Sequence, residues 1–405
     1  MSKWEEQKFG DLYLIPSRNG LTRPSSVRGA GYKFINMGEI FAYNRIGNIE
    51  TELVQLNEKE KKEMTLQKND LLFARQSLVF TGAGKCSIML DLEDVVSFES
   101  HIIRVRLNPE IANPMFYYYY FSLPYNSVKT IVQQCAQAGI RGSDLEKIKV
   151  PCPHIEIQNR IADVLSAYDD LIDTNNRRIE LLEQAAQELY KECFVRFRFP
   201  GYENAKFEDG FPKDWTIKRL ADYGRVETGK TPSTDVLENY GGEMMFVKTP
   251  DMHGNIFIIQ TEDKLSERGH NTQPKKLLPV NSIMVSCIGT AGVVSINAEP
   301  AHTNQQINSI ILNNPNELEW LYHTCKSLKD TIELFGATGA TMTNLSKGKF
   351  EKLRVVDPRE DLILEYHNKV HPLFNEIKSL MYQNQNLAAQ RDMLLPRLMS
   401  GKLEV

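Results

Sequence analysis

The chain is written twice, and this duplication restricts its fold more than any other feature. Trp4-x4-Phe9-Gly10-Asp11 returns 211 positions later as Trp215-x4-Leu220-Ala221-Asp222. Lys68-Asn69-Asp70-Leu71-Leu72-Phe73 returns as Val280-Asn281-Ser282-Ile283-Met284-Val285, and Thr81-Gly82-Ala83-Gly84 as Gly289-Thr290-Ala291-Gly292. Gly139-Ile140-Arg141-Gly142-Ser143-Asp144-Leu145 pairs with Gly339-Ala340-Thr341-Met342-Thr343-Asn344-Leu345, and Glu146 to Val150 with Glu351 to Val355. The same signals in the same order over this distance mean two copies of one domain-sized module, each followed by a tail. We place the modules at residues 1–150 and 200–357 and the tails at 151–199 and 358–405.

Within the modules, short apolar alternations such as Tyr32 to Met37, Ile102 to Leu107 and Ser282 to Val285 are separated by Gly, Asn and Pro turns. That pattern predicts an α+β fold with short strands. Helices are expected at Pro114 to Gln134 and Glu317 to Phe335. In the first tail, Leu165, Tyr168, Ile172, Asn175, Ile179, Leu182, Ala186, Leu189 and Cys193 alternate steps of three and four residues. At a constant offset of 205 the second tail gives Val370, Leu373, Ile377, Leu380, Asn384, Leu387, Arg391, Leu394 and Leu398. Such spacing draws a narrow seam along a helix, the signature of a coiled coil. Packing of each helix on its own module is the alternative. Asn175 and Asn384 are expected in the seam at different heights, where polar residues specify register. Parallel helices would make the second module span about 39 residues of helix, about 58 Å at 1.5 Å per residue. Antiparallel helices remove that demand.

With 48 Lys plus Arg against 52 Asp plus Glu, the chain carries a net charge of -4 and is not globally basic. Charge is unevenly placed, however. No acid lies between Asp11 and Glu39, between Leu71 and Leu90, or between Arg268 and Ala298, and these windows hold Arg18, Arg23, Arg28, Lys33, Arg75, Lys85, Arg268, His270, Lys275 and Lys276. Two basic surfaces are therefore expected, with Ser17 to Lys33 and Arg268 to Lys276 as surface loops. Six scattered cysteines form no Cys-x-x-Cys pair, so reduced thiols, no zinc site and a cytoplasmic location are expected. No run of eighteen apolar residues and no signal-peptide order occurs, which removes membrane and secreted readings.

Two motifs invite a catalytic reading. Gly224-Arg225-Val226-Glu227-Thr228-Gly229-Lys230-Thr231 satisfies the phosphate-loop pattern, but Pro232-Ser233-Thr234-Asp235 follows where a helix is required. Pro250-Asp251 ahead of Glu262-Asp263-Lys264 has the order of a metal-dependent nuclease, yet triplets of this kind are common by chance in a chain with 25% charged residues. A methyltransferase is not expected, because the sequence has no Asp/Asn-Pro-Pro-Tyr/Phe segment and no Gly-x-Gly after a parallel-sheet strand. No nucleophile, base and orienter converge.

Two modules that open with a Trp, each closing with Gly-x5-Leu and then a Pro-started heptad helix, resemble the specificity subunit of type I restriction-modification systems. Trp215-x4-Leu220, Thr228-Gly229-Lys230-Thr231-Pro232, Asn304-Gln305-Gln306, Gly339 to Leu345 and the tail Leu394 to Leu403 carry the likeness. The first module departs from it: Leu21-Thr22-Arg23-Pro24 is its nearest Gly-x-Thr-Pro turn, and Phe98-Glu99-Ser100-His101 replaces Asn-Gln-Gln. The resemblance implies a non-catalytic subunit with two target recognition domains, each reading half of a split site on double-stranded DNA. Half-sites about one helical turn apart, some 34 Å, suit such a design. The paired helices would be spacer and dock for two methyltransferase (modification) subunits, with two restriction (motor-nuclease) subunits joining them. S-adenosylmethionine, ATP and Mg would reside on those partners, with no cofactor or metal on this chain. Expected DNA contacts are Arg18, Arg23, Arg28, Arg75, Lys85, Arg141, Lys230, Thr231, Lys248, Lys275, Lys276, Gln305 and Thr341. Lys and Arg clamp phosphates, while Arg, Gln and Thr can read base edges. The competing reading is a coiled-coil protein-interaction scaffold without DNA specificity.

Overall fold

The structure is a computed structural model that describes residues 4–134, 138–337 and 343–405. By contact the chain forms two compact units, Met1–Ile172 with Asn386–Val405, and Asp173–Gln385. Each unit therefore holds one module together with a piece of both long helices.

The first module is built on a five-stranded sheet in the order Tyr13–Asn19, Ile102–Leu107, Leu71–Ala74, Cys86–Met89, Arg45–Ile46. The second repeats that order with Gly224–Thr228, Ile307–Leu312, Ile283–Ser286, Val294–Asn297 and Phe257–Ile258. In both sheets only the last pair is parallel. The inner strands Leu71–Ala74 and Ile283–Ser286 are buried at every position, because both sheet faces are covered. Tyr13–Asn19 is the edge strand and tolerates Pro16, whose missing N–H no ladder needs there. A three-stranded sheet lies beside each five-stranded one. It joins Glu52–Val54, Arg28–Ile35 and Val96–Phe98 in the first module, and Lys264–Leu265, Tyr240–Val247 and Ala301–Thr303 in the second. The repeated Asn69 and Asn281 turn the chain into the inner strands at φ of 70° and 62°, a left-handed conformation that Asn adopts more readily than most residues.

The expected helix at Pro114 to Gln134 stops at Ser122, and Ser127–Ile131 is a separate 3-10 turn. Pro124 lies two residues beyond, and Leu123 before it is extended, as the residue before a proline is pushed out of the helical region. The helical stretch expected from Glu317 to Phe335 is broken into Leu318–Ser327 and Lys329–Gly336. Neither acid-free stretch is a simple loop. Ser17 to Lys33 runs out of one strand, through the 3-10 turn Ser25–Val27 and into another, and Arg268 to Lys276 is mostly the short helices Glu267–Asn271 and Pro274–Lys276.

The tails are single helices, Ile155–Tyr190 and Glu360–Met399, and in each unit they pack antiparallel. In the first unit Leu165 shares a core with Leu395, Leu398 and Met399, while buried Asp169 pairs with Arg391. In the second unit Asn175 Nδ2 donates to Asn384 Oδ1 at 2.9 Å, and farther along Tyr366 Oη donates to the Ala186 carbonyl at 3.1 Å. Asn175 and Asn384 thus stand at the same height and bond each other, which corrects the expected stagger; in antiparallel register, positions near the helix centres must meet. Leu189 is a second correction, since it is 36% exposed while Tyr190 and Phe194 are buried. From Ala186 the buried positions step by four, because the helix there faces the core of the second module instead of a narrow seam. Packing on the module and pairing of helices therefore coexist. Among the described residues no helix is long and apolar enough to cross a membrane, and Cys86, Cys152, Cys193, Cys287 and Cys325 are free thiols.

Candidate nucleic-acid interface

Both modules build one turn on the same backbone bonds. In the second module Asn304-Gln305-Gln306 links Ala301–Thr303 to Ile307–Leu312. The Lys230 amide donates to the Thr303 carbonyl at 2.9 Å, that of Gly229 to Ile307 at 3.1 Å, that of Asn304 to Val247 at 3.1 Å and that of Cys287 to Gln306 at 2.7 Å. In the first module Glu99-Ser100-His101 occupies this turn. The corresponding donors are Leu21 to Phe98 at 2.8 Å, Gly20 to Ile102 at 3.3 Å, Glu99 to Ile35 at 3.0 Å and Arg75 to His101 at 2.8 Å.

This correspondence corrects the first-module assignment. Gly20-Leu21-Thr22 is the counterpart of Gly229-Lys230-Thr231, and Arg23 is inserted before the proline. The glycines share one cause: a Cβ would stand 2.1 Å from the Phe98 carbonyl at Gly20 and 2.1 Å from the Asn304 carbonyl at Gly229. Gly20 was legible as a Gly-x-Thr, but the inserted Arg23 hid it.

Around the second turn, Thr231 Oγ1 donates to Gln305 Oε1 at 2.5 Å, and Asn304 Nδ2 donates to Gln306 Oε1 at 3.1 Å. The Asn304–Val247 bond brings Lys248 beside the turn. The lysine caps helix Thr249–Met252 and pairs with Asp263 at 2.7 Å, a hydrogen bond that raises its pKa. Lys276 pairs with buried Glu227. Lys230 and Lys275 are exposed and have no side-chain partner among the described residues. Thr341 lies outside those residues.

Around the first turn the cations are mostly neutralised. Arg18 pairs with Glu63 at 2.8 Å, Arg23 with Glu60 at 2.6 Å, and Arg28 with Glu52. Hydrogen bonding by these guanidiniums holds the carboxyls of Glu52, Glu60 and Glu63 below their ordinary value. The acids come from Glu52–Val54 and the helix Glu58–Glu63, so a window without acid in sequence is not a surface without acid. Lys85 donates to the Phe41 carbonyl at 2.9 Å, and burial lowers its pKa. Arg75 and Arg141 have no side-chain partner among the described residues, and the Ile140 amide bonded to the Arg75 carbonyl at 2.9 Å sets their segments side by side. Beside them stand Leu78, Val79 and Phe80, exposed at 87%, 60% and 43%, a feature the sequence reading passed over.

The catalytic motifs dissolve in the fold. Gly224–Thr228 is a strand paired with Ile307–Leu312, and no helix begins at Pro232, so there is no phosphate loop. Asp251 accepts from the amides of Lys248 and Glu262 at 2.7 and 3.2 Å, and Asp263 is engaged by Lys248. These carboxylates hold local structure and do not converge on a metal.

Known proteins agree with this architecture. A crystallised type I restriction-modification S subunit from M. genitalium shares the fold, with a TM-score of 0.59 at 15% identity over 98% of this chain and 96% of that one. The HindI specificity subunit of Haemophilus influenzae is 29% identical over the full length of both chains. The MjaIX specificity subunit of Methanocaldococcus jannaschii is 28% identical over 66% of this chain and 63% of its own. The profile of the family described as type I restriction modification DNA specificity domain matches residues 1–184 and 212–359, one stretch in each half of the duplication. The chain belongs to this family, as a specificity subunit of a type I restriction-modification system.

Proposed function

We propose that each module reads one half of a bipartite DNA site through its recognition turn, and that the two long helices dock the modification subunits. The observation that carries the reading is one backbone turn built twice with different side chains: Glu99-Ser100-His101 in one module, Asn304-Gln305-Gln306 in the other. A common frame with exchanged hydrogen-bonding groups is what two different half-sites require. Arg75 and Arg141 in the first module, and Lys230 and Lys275 in the second, supply free cations for phosphates. The helices leave Val164, Leu171, Leu181, Leu364 and Met393 exposed, apolar contacts suited to protein partners. S-adenosylmethionine, ATP and Mg would be bound by those partners.

The test is DNA retention by the complex assembled with its modification subunits, measured against salt. Phosphate contacts impose a log–log slope of roughly -0.9 per contact, and a specific duplex should outlast a scrambled one. Retention independent of salt and sequence would favour the protein scaffold.

A further inference from the structure

We propose that Glu319, His367 and His371 form a binding site for one zinc-class divalent ion, which ties helix Leu318–Ser327 of the second module to the second long helix. His367 and His371 stand four residues apart, one turn along the helix Glu360–Met399, and both rings face the same carboxylate. Glu319 Oε2 lies 2.7 Å from His367 Nδ1, and Oε1 lies 2.7 Å from His371 Nδ1. The donor atoms of all three residues lie within 4.8 Å of one another.

Charge is the reason to place an ion there. The buried acids among the described residues are Asp70, Asp169, Glu227, Glu319 and Asp357. Four of them have a Lys or Arg: Arg106 at 2.7 Å from Asp70, Arg391 beside Asp169, Arg225 and Lys276 on Glu227, and Lys218 at 2.8 Å from Asp357. Among the described residues Glu319, with a fully buried side chain, has no Lys or Arg partner and faces two imidazoles. A buried carboxylate without a permanent countercharge is costly, and one divalent ion between these rings would supply it. Two imidazole nitrogens and a carboxylate oxygen make a common zinc donor set. Bonds of about 2.0–2.1 Å in a tetrahedron set donor atoms about 3.3 Å apart, so binding would open the 2.7 Å contacts and close the widest separation, which is within 4.8 Å. His371, with 43% of its side chain exposed, leaves the fourth position open to water.

The site belongs to one module alone. At the offset of 205 residues that relates the two helices, Ala162 and Ser166 stand in place of the histidines, and Ala162 is buried in an apolar core. The ion would therefore stiffen the seat of the second module without a counterpart in the first.

The full chain, stripped with a chelator and then dialysed, should take up one equivalent of Zn(II) in competition with a chromophoric chelator. Co(II) should give the visible bands of a tetrahedral site without a thiolate charge-transfer band. His371→Ala and Glu319→Gln should each weaken uptake by on the order of 100-fold; His371→Ala is the variant expected to keep its fold, checked by circular dichroism. Absence of uptake by the wild-type chain, equal uptake by His371→Ala, or a thiolate band that moves the ion to a cysteine would each overturn the proposal.

Discussion

The turn Glu99–His101 of the first module and the turn Asn304–Gln306 of the second make the same backbone hydrogen bonds and present different chemistry. In the first, an acid and a histidine sit among arginines already paired to Glu52, Glu60 and Glu63. In the second, three amide side chains sit near the exposed Lys230, and Lys275 of the same module is also exposed. The frame is held by main-chain bonds and by glycines at which a Cβ would stand 2.1 Å from a carbonyl, while the side chains carried on the turn differ. On the proposed reading, that separation would let one fold serve two half-sites.

The two halves of the helix seam differ in burial. Ile377 is fully buried in the core of the second unit, while Ile172 in the first is only partly buried. Ile377→Asp should lower stability by about 3–5 kcal/mol, the cost of an unpaired buried charge, and Ile172→Asp by less. Urea unfolding of the two variants checks this, and equal losses would deny that the two halves of the seam differ in burial.

Acid should separate the modules next. Burial holds His302 at about 4 and His323 at about 3. In the first sheet Ser97 takes the place of His302, as the parallel pairings Phe34 with Ser97 and Phe246 with His302 show. These pKa values lie below the unfolded value near 6.5, so the unfolded chain binds more protons and stability falls as pH drops from about 6.5 toward 4. The loss should be about 2–4 kcal/mol and confined to the second unit. Amide exchange at pH 7 and pH 4.5 measures it, and earlier opening of the first unit would contradict the assignment.

A smaller effect tests the glycines. Gly20→Ala or Gly229→Ala forces a Cβ against a carbonyl and should cost about 1–3 kcal/mol. Each should relax discrimination in one half-site only, read by methylation of mutated duplexes. Smallest of all, Lys230→Ala or Lys275→Ala should each reduce the salt slope of DNA retention by about one unit. Arg18→Ala and Arg23→Ala should change it less, because their glutamates already neutralise them. Equal slopes in the four variants would remove the contrast between paired and free cations.

Much of the fold was legible because duplication and periodicity survive as spacing. The repeat order and the inner strands follow from apolar positions that burial demands, and the antiparallel helices from the length of helix that a parallel pair would force the second module to span. Leu189 escaped, since a strict heptad cannot register where a helix leaves its partner for a module core. The charge surface was the least legible. Glu52, Glu60 and Glu63 approach Arg28, Arg23 and Arg18 only after folding, and no window along the chain reveals such pairs. Glu319 likewise meets His367 and His371 across 48 and 52 residues, a distance at which no metal spacing rule operates.

On the proposed function the two modules read independently, and exchanging one of them puts this to the test. Residues 200–357 would be replaced by the same region of a related specificity subunit, and the sequence methylated by the reassembled complex would be mapped across a genome. One half of the site should change while the other half remains. A site changed in both halves, or in neither, would contradict it.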